Sequence, residues 1–168
     1  MQFSIGVEYA LHCIFYMVDF PPGKSVGIKE LAAYQGVSET YLSKVYTKLR
    51  KAGIVKSIPG VNGGYELARK PEEITFWDII EAVEGSTHLF QCAEIRQNVI
   101  LLDKEHLPDT HTKCPCLIKV VMHEAEDQMR GYLKNKTLAW LHEQVKDILP
   151  EEHMEATMQW FNNARKKK

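Results

Sequence analysis

Two short amphipathic segments separated by one glycine constrain the fold of this chain more than any other feature. Residues 28–35 carry apolar side chains on one helical face, and Gly36 follows them as a residue that tolerates a left-handed helix end. Ser38 is a suitable N-cap for a second helix, which the apolar spacing extends to about Ala52. Two helices joined by a tight glycine turn predict a helix-turn-helix, in which the second is the recognition helix.

A β-hairpin is predicted directly after the recognition helix. Residues 54–58 read as a strand, residues 59–64 as a turn and residues 65–67 as the returning strand. A hairpin in this position is a wing. The predicted fold class is therefore mainly α with a small β-hairpin wing, a winged helix-turn-helix domain.

Two further helices flank this core in the sequence. Ser4 is a candidate cap for a first helix, which we expect to run until Pro21-Pro22-Gly23 stops it. Thr75 and Asp78 resemble a capping box that opens a helix through Glu84. These residues complete a domain that we place at residues 1–85.

The second half of the chain predicts an irregular linker and a long helix. Residues 86–116 show no regular period and form the linker, whereas residues 117–136 contain a strongly amphipathic helix that is the best candidate for dimerisation. Its apolar stripe consists of Ile118, Val121, Met122, Ala125, Met129 and Leu133. The alternative is that this stripe packs only within its own chain. Residues 137–168 are expected to form a C-terminal extension of two shorter helices separated by Pro150.

Charge and composition favour a nucleic-acid partner over a membrane or an enzymatic role. Residues 1–70 carry nine lysines and arginines against five aspartates and glutamates, although the whole chain has a net charge of −1. The apolar first twenty residues are interrupted by charges and have no basic leader, so we expect a cytosolic protein with no membrane association. The sequence has no phosphate-cradling glycine loop and no nucleophile elbow, so an enzyme is not expected. A protein-interaction module that uses the winged helix for docking is the other alternative.

The sequence resembles the Rrf2 family of bacterial winged helix-turn-helix transcription regulators, which includes the IscR, NsrR and CymR regulators. The matching segments are Glu8–Leu11, Ile28–Ala32, Val37–Leu42, Leu49–Val55, Gly63–Ala68, Ile74–Gly85 and Thr137–Leu141. The resemblance implies a homodimer at the bacterial nucleoid that represses transcription by binding a palindromic promoter site in double-stranded DNA. Its two recognition helices would enter successive major grooves. Residues beyond about 150 extend past the usual family core and have no assigned role.

The recognition helix and the wing supply the expected DNA contacts. Thr40, Ser43 and Lys44 lie opposite the apolar face and are best placed for base edges, while basic residues further along would contact phosphates. The complete expected set is Ser38, Thr40, Tyr41, Ser43, Lys44, Lys48, Arg50, Lys56 and Asn62. Relatives often carry arginine at the start of the wing loop, where this sequence has Pro59. The wing is therefore not expected to read the minor groove through an arginine, and Asn62 is the expected polar contact there.

Three of the four cysteines lie in or at the end of the linker. Cys13 falls within the first helix, where a small buried apolar role is expected. Cys92, Cys114 and Cys116 form a group that indicates metal, cluster or redox chemistry in a cytosolic protein. The Cys-Pro-Cys motif holds two thiols close together, as iron–sulfur clusters require.

The cysteine layout is similar to that of the RsrR-type iron–sulfur redox regulators within the family. That resemblance implies a cluster, with 2Fe-2S favoured, that bridges the subunits and takes Glu and His ligands from the partner's first helix. Glu8 and His12 match those positions, and their i,i+4 spacing puts them on one helical face. The expected ligands are Cys92, Cys114, Cys116, Glu8 and His12, and which of the cysteines ligate stays open. An ordinary surface pair of Glu8 and His12 is the alternative.

Other sensing modes remain open at this point. Cys92 could pair with Cys114 or Cys116 under oxidant without any metal, or a partner protein or metabolite could set activity. A zinc site from the thiols with His88, His106 and His111 lacks a recognisable ligand spacing.

Overall fold

Helices dominate the computed structural model, which describes residues 2–60, 63–86 and 88–166. The elements are α1 (Ile5–Phe15), α2 (Ile28–Gln35), α3 (Glu39–Lys51), β1 (Val55–Ile58), β2 (Gly64–Leu67), α4 (Phe76–Glu84), α5 (Asp109–Thr112), α6 (Leu117–Lys134), α7 (Leu138–Ile148) and α8 (Glu151–Lys166). This confirms the predicted mainly helical fold class with a β-hairpin wing. The described chain divides into two compact units, one made of residues 2–86 with 133–166 and the other of residues 88–132.

The helix-turn-helix forms as its local signals predict. Gly36 ends α2 in the left-handed conformation, with φ of 71°. Ser38 then caps α3, and its hydroxyl oxygen accepts a hydrogen bond from the Tyr41 N–H at 3.3 Å. On its inner face α3 buries Leu42, Val45, Tyr46 and Leu49.

The wing is an antiparallel pair in which Val55 lies opposite Leu67 and Ile58 opposite Gly64. An additional bridge joins Val26 to Tyr65 through two backbone hydrogen bonds of 2.8 Å. Gly64 is required at this crossing, because a Cβ there would lie 2.3 Å from the Val26 carbonyl oxygen. The tip of the wing, including Asn62, lies outside the described residues.

The first helix begins after Ser4 as predicted, but it ends earlier and its N-terminus lacks the expected side-chain cap. It ends at Phe15 and not at residues 21–23, because the next amides switch to i→i−3 bonding, as Met17 N–H does with the Ile14 carbonyl. Ser4 occupies the N-cap position without a side-chain cap, and its N–H donates to Oε1 of Glu84 at 2.8 Å. The residues buried on α1 are Gly6, Val7, Ala10, Cys13 and Ile14.

A short β-bridge fixes the segment after α6 to the beginning of α4. Thr75 pairs with Thr137, the Phe76 N–H donates to the Lys136 carbonyl at 2.8 Å, and the Leu138 N–H donates to the Ile74 carbonyl at 2.9 Å. Leu138 is fully buried. The C-terminal helices therefore belong to the same compact unit as the winged helix.

The last helix is attached to the winged helix through an aromatic cluster. Phe161 on α8 is 2% exposed. Its ring lies 4.9 Å from Tyr34, 5.4 Å from Phe20 and 5.9 Å from Tyr16, measured between centroids. Tyr34 also shares a 2.6 Å hydrogen bond with the Thr157 hydroxyl. The segment without an assigned role in the sequence is thus part of the core around α1 and α2.

The other unit combines a loop region with most of α6. Its loop contains one turn of 3-10 helix at Ile95–Asn98 and the short helix α5. The apolar stripe of α6 is largely solvent-exposed, with Ile118 at 68% and Val121 at 62%. No helix in the described ranges is long and apolar enough to cross a membrane.

Candidate DNA-binding surface and cysteine site

The outer face of α3 presents polar side chains to solvent. Thr40, Ser43 and Lys44 are all exposed, as the alternation of buried and exposed positions along the helix requires. Tyr41 is 36% exposed and packs edge-on against Tyr9 at 5.6 Å between ring centroids. The first two turns of the recognition helix are therefore accessible on their outer face. The inner face of the helix packs against the rest of the domain.

The predicted phosphate contacts differ in what they bind within the chain. Nζ of Lys48 donates to the Val83 carbonyl at 2.6 Å, near the end of α4. Lys56 forms an ion pair with Oε1 of Glu66 at 2.8 Å, but its side chain is 57% exposed. Arg50 is exposed on α3. Lys48 thus joins α3 to α4, a role that its sequence position did not indicate.

Two of the three linker cysteines, Cys92 and Cys116, lie close together in space. Cys92 and Cys116 are both half-buried, and Cys92 lies near enough to Cys116 to lower the pKa of the Cys116 thiol. The backbone N–H groups of Lys119 and Ile118 lower the pKa of the Cys116 thiol, because Cys116 lies at the N-terminus of α6 where those amides lack helical partners. Hydrogen bonding from Cys92 and the nearby Arg96 charge lower it further.

Arg96 organises the segment around these sulfurs. Its Nε donates to Oε2 of Glu94 at 2.9 Å, and its NH2 group donates to the Cys114 carbonyl at 2.6 Å. Hydrogen bonding with Arg96 lowers the pKa of the Glu94 carboxyl. Glu94 also accepts from the Cys92 thiol at 3.7 Å and adopts a φ of 50°, which is unusual for a residue other than glycine. Neither Glu94 nor Arg96 was predicted, since only their closeness to Cys92 in sequence could have indicated a role.

The third linker cysteine is placed differently. Cys114 is exposed, and only its carbonyl is fixed by Arg96. All four cysteines are free thiols that form no disulfide bond. An open cleft of about 580 Å³ is lined by Cys114, Cys116, Arg96 and Glu94 among others. The cysteine site is therefore a pair of close thiols, Cys92 and Cys116, of which Cys116 lines a cleft together with the exposed Cys114.

Glu8 and His12 lie in the unit that contains the winged helix. Both are exposed, one turn apart on α1. The cysteines belong to the unit of residues 88–132. A carboxylate and an imidazole on one helical face are thus accessible to solvent.

Cys13 is fully buried, which confirms its predicted role in the core. Burial raises the pKa of its thiol to about 12, so almost no thiolate forms at neutral pH. We expect brief treatment with iodoacetamide at pH 8 to alkylate Cys114 and leave Cys13 unmodified, as read by peptide mass spectrometry. Unfolding in guanidinium chloride should make Cys13 reactive. Equal labelling of the two thiols in the native protein would contradict the buried position.

Comparison with known proteins places this architecture in a defined group. The family model described as "Rrf2: Iron-dependent Transcriptional regulator" matches residues 3–144. The HTH-type transcriptional regulator NsrR of Shouchella clausii is 29% identical over 161 residues, which cover 95% of this chain and 97% of the relative.

Solved structures agree with this assignment. IscR from T. potens aligns with a TM-score of 0.64 and 28% identity, covering 92% of this chain and 96% of its own. The oxidized form of CymR from Staphylococcus aureus aligns with a TM-score of 0.60 and 26% identity, covering 85% and 97%. The matched relatives are transcriptional regulators and not enzymes.

Proposed function

The chain belongs to the Rrf2 family of transcriptional regulators, and from this membership we propose that it is a homodimeric repressor whose binding to a palindromic DNA site is controlled by an iron–sulfur cluster. The observation that carries the proposal is the proximity of two free thiols, Cys92 and Cys116, at the N-terminus of α6. Regulation of transcription through DNA binding is the common property of the family. The dimer and the cluster are the specific parts of the proposal.

The outer face of α3 is the proposed DNA-reading surface. Thr40, Ser43 and Lys44 would contact base edges in the major groove, with Arg50 and Lys56 on phosphates. The Lys56 side chain is 57% exposed within its ion pair with Glu66, so its ammonium group is accessible to a phosphate. Ser38 and Tyr41 would act indirectly, by fixing the start of the helix. Asn62 remains the proposed contact of the wing.

The exposed stripe of α6 supports the homodimer. Ile118, Val121 and Met122 of the stripe and the neighbouring Leu117 are between 41% and 77% exposed, and clustered exposed apolar side chains are typical of interaction surfaces. Packing this stripe against its copy in a second chain would remove it from water. A two-fold arrangement would also match the symmetry of a palindromic DNA site.

The donor set supports an iron–sulfur cluster. Cys92 and Cys116 supply two close sulfurs, and the Cys116 sulfur receives backbone N–H groups that favour the thiolate required for ligation. Glu8 and His12 of the partner subunit would complete the ligand set, because both are exposed on one face of α1. When bound, a 2Fe-2S cluster would supply a one-electron redox centre that responds to oxidants.

The test of this function is anaerobic purification and reconstitution with iron and sulfide. We expect visible absorption, two irons and two sulfides per chain as the 2Fe-2S proposal requires, and a dimer by sedimentation. DNA sites are then selected from a random duplex pool, and affinity is compared between loaded and cluster-free protein. Colourless, iron-free protein that binds its selected sites unchanged would refute cluster control. A monomer under all conditions would refute the dimer.

A thiol switch is a second candidate, favoured by the same contact between Cys92 and Cys116. Hydrogen peroxide would oxidise the two thiols to one disulfide, with two protons and two electrons passing to the peroxide to form two water molecules. Iron-free protein treated with peroxide would then contain a Cys92–Cys116 disulfide by mass spectrometry, together with altered DNA affinity. Altered affinity without iron distinguishes this mode from the cluster.

The DNA-reading surface gives a direct prediction. Replacing Lys44 with alanine should weaken binding to the selected site by about 10- to 100-fold, since a good side-chain contact to a base contributes roughly 1–3 kcal/mol. The measurement is a fluorescence-anisotropy titration at fixed salt. Lys146→Ala on α7 is the matched control, because it removes an exposed lysine away from α3. Equal affinities of the two variants would exclude Lys44 from the interface.

A further inference from the structure

A group of three metal-ligand side chains lies in the unit of residues 88–132 and contains none of the cysteines. His88, His123 and Glu126 each offer one donor atom, and these atoms all lie within 4.8 Å of one another. We propose that these three residues form a second, separate site for a divalent transition-metal ion of the zinc type. The site is independent of the proposed cluster and would persist without it.

Glu126 is the fixed element of the group. Its side chain is only 2% exposed, which is costly for a carboxylate unless charged or hydrogen-bonded partners surround it. Oε2 accepts the Leu89 N–H at 3.2 Å, and Oε1 binds the Arg130 guanidinium. These contacts orient the carboxylate before any ion arrives, which is the task of outer-shell partners in metal sites.

The two imidazoles come from different segments. His123 lies one turn before Glu126 on α6, so both side chains share a helical face. His88 reaches the site from the segment after α4, with Nδ1 3.5 Å from Oε1 of Glu126. Its ring centroid is 5.6 Å from that of His123. An ion pair with Glu126 would explain the position of His88, but it gives the imidazole of His123 no role. A cation shared by His88, His123 and Glu126 uses all three side chains.

The donor set defines the class of ion. Two imidazole nitrogens and one carboxylate oxygen suit zinc and similar borderline cations, whereas calcium and magnesium prefer oxygen ligands. The His88 side chain is 64% exposed, so ions can enter and water can occupy the remaining coordination position. Arg130 balances the charge of the carboxylate, and the metal ion would compete with it for Oε1. We therefore expect moderate affinity and not the very tight binding of a four-cysteine site.

The site has a structural consequence for the cysteine segment. His88 and Leu89 begin the stretch that carries Cys92, and both contact Glu126 on α6. His123 also lines the open cleft that contains Cys114 and Cys116. An ion held by His88, His123 and Glu126 would therefore fix the start of the cysteine segment to the helix at whose N-terminus Cys116 lies.

The test uses full-length protein in which Cys92, Cys114 and Cys116 are replaced by serine, so that thiols cannot bind the metal. Titration with ZnCl2 and equilibrium dialysis should give one zinc per chain. His88→Ala, His123→Ala and Glu126→Gln should each weaken zinc binding by at least about tenfold. His106→Ala is the matched control, because His106 is an exposed histidine of the same unit that pairs with Asp103.

Cobalt provides a second measurement. Co²⁺ bound at this site should show visible d–d absorption that zinc displaces and that the His123 variant lacks. Absence of zinc binding in the protein that lacks the three linker cysteines would overturn the proposal, as would unchanged affinity in the His88 and Glu126 variants. His88 is largely exposed, so its variant is informative even if the His123 variant does not fold, and circular dichroism verifies folding. Neither result depends on whether a cluster forms.

Discussion

Replacing Cys116 with serine is expected to abolish the visible absorption and the bound iron and sulfide of anaerobically reconstituted protein. Serine removes one sulfur of the close pair and leaves a hydroxyl, which is a hard donor with a pKa far too high to match a thiolate as a ligand. Cys92→Ser should have the same effect, because both sulfurs belong to the pair. Iron and sulfide analysis with an absorption spectrum measures the loss.

Cys114→Ser is the matched control for this experiment. The change is equally conservative and lies two residues from Cys116, but the Cys114 side chain is exposed and only its carbonyl is held by Arg96. We expect this variant to keep its iron and its colour. Loss of the cluster in Cys114→Ser with retention in Cys92→Ser would reverse the assignment of the ligands. If all three serine variants retain the iron and the colour, none of the three cysteines is a required ligand of the cluster.

Replacing Phe161 with alanine is expected to lower the free energy of unfolding by about 3–5 kcal/mol. The ring is 2% exposed and packs against Tyr16, Phe20 and Tyr34, so its removal leaves a cavity among aromatic side chains. For a chain of this size the loss corresponds to a decrease in melting temperature on the order of 10 °C. Thermal and denaturant unfolding followed by circular dichroism provide the measurement.

Ile148→Ala is the control for Phe161→Ala. Ile148 is also a large apolar residue of the C-terminal helices, but it is 78% exposed at the end of α7, so its truncation should change stability by less than about 0.5 kcal/mol. A similarly small effect for Phe161→Ala would mean that α8 adds little to the fold. Because the family model ends at residue 144, a large effect would show that this chain depends on a helix outside the matched region.

The sequence predicted the parts of the fold whose signals are local. Gly36 with Ser38 defined the turn of the helix-turn-helix, and Thr75 with Asp78 formed the expected capping box, in which the Thr75 hydroxyl accepts the Asp78 N–H at 3.0 Å. Such signals act within three or four residues, so they can be read without knowing the tertiary structure.

Contacts between distant residues were not predictable in the same way. Apolar spacing extended α1 to residues 21–23, but the structure ends it at Phe15 and continues in tight turns. The hydrogen bond from Lys48 to the Val83 carbonyl joins residues 35 positions apart, so no local signal indicated it. His88 and Glu126 are 38 positions apart, so no short motif could have joined them with His123. Their proximity follows from folding and not from spacing.

The cysteine site illustrates an intermediate case. Its residue types and rough location were evident from the sequence, whereas the choice between Cys114 and Cys116 as the neighbour of Cys92 was not. The structure brings Cys92 and Cys116 together and leaves Cys114 exposed, because Arg96 binds the Cys114 carbonyl and α6 begins at the next residue after Cys116. The course of the backbone around Cys114 and Cys116 decides which of the two thiols lies beside Cys92, and sequence spacing alone does not define that course.

The bridge between Thr75 and Thr137 is part of a longer series of hydrogen bonds. Only Asn135 and Lys136 separate the end of α6 from Thr137, and Lys136 is itself bonded to Phe76 at the start of α4. At the other end of α4, Val83 is bonded to Lys48 on the recognition helix. Backbone and side-chain hydrogen bonds therefore connect the segment that follows α6 to α4, and α4 to α3.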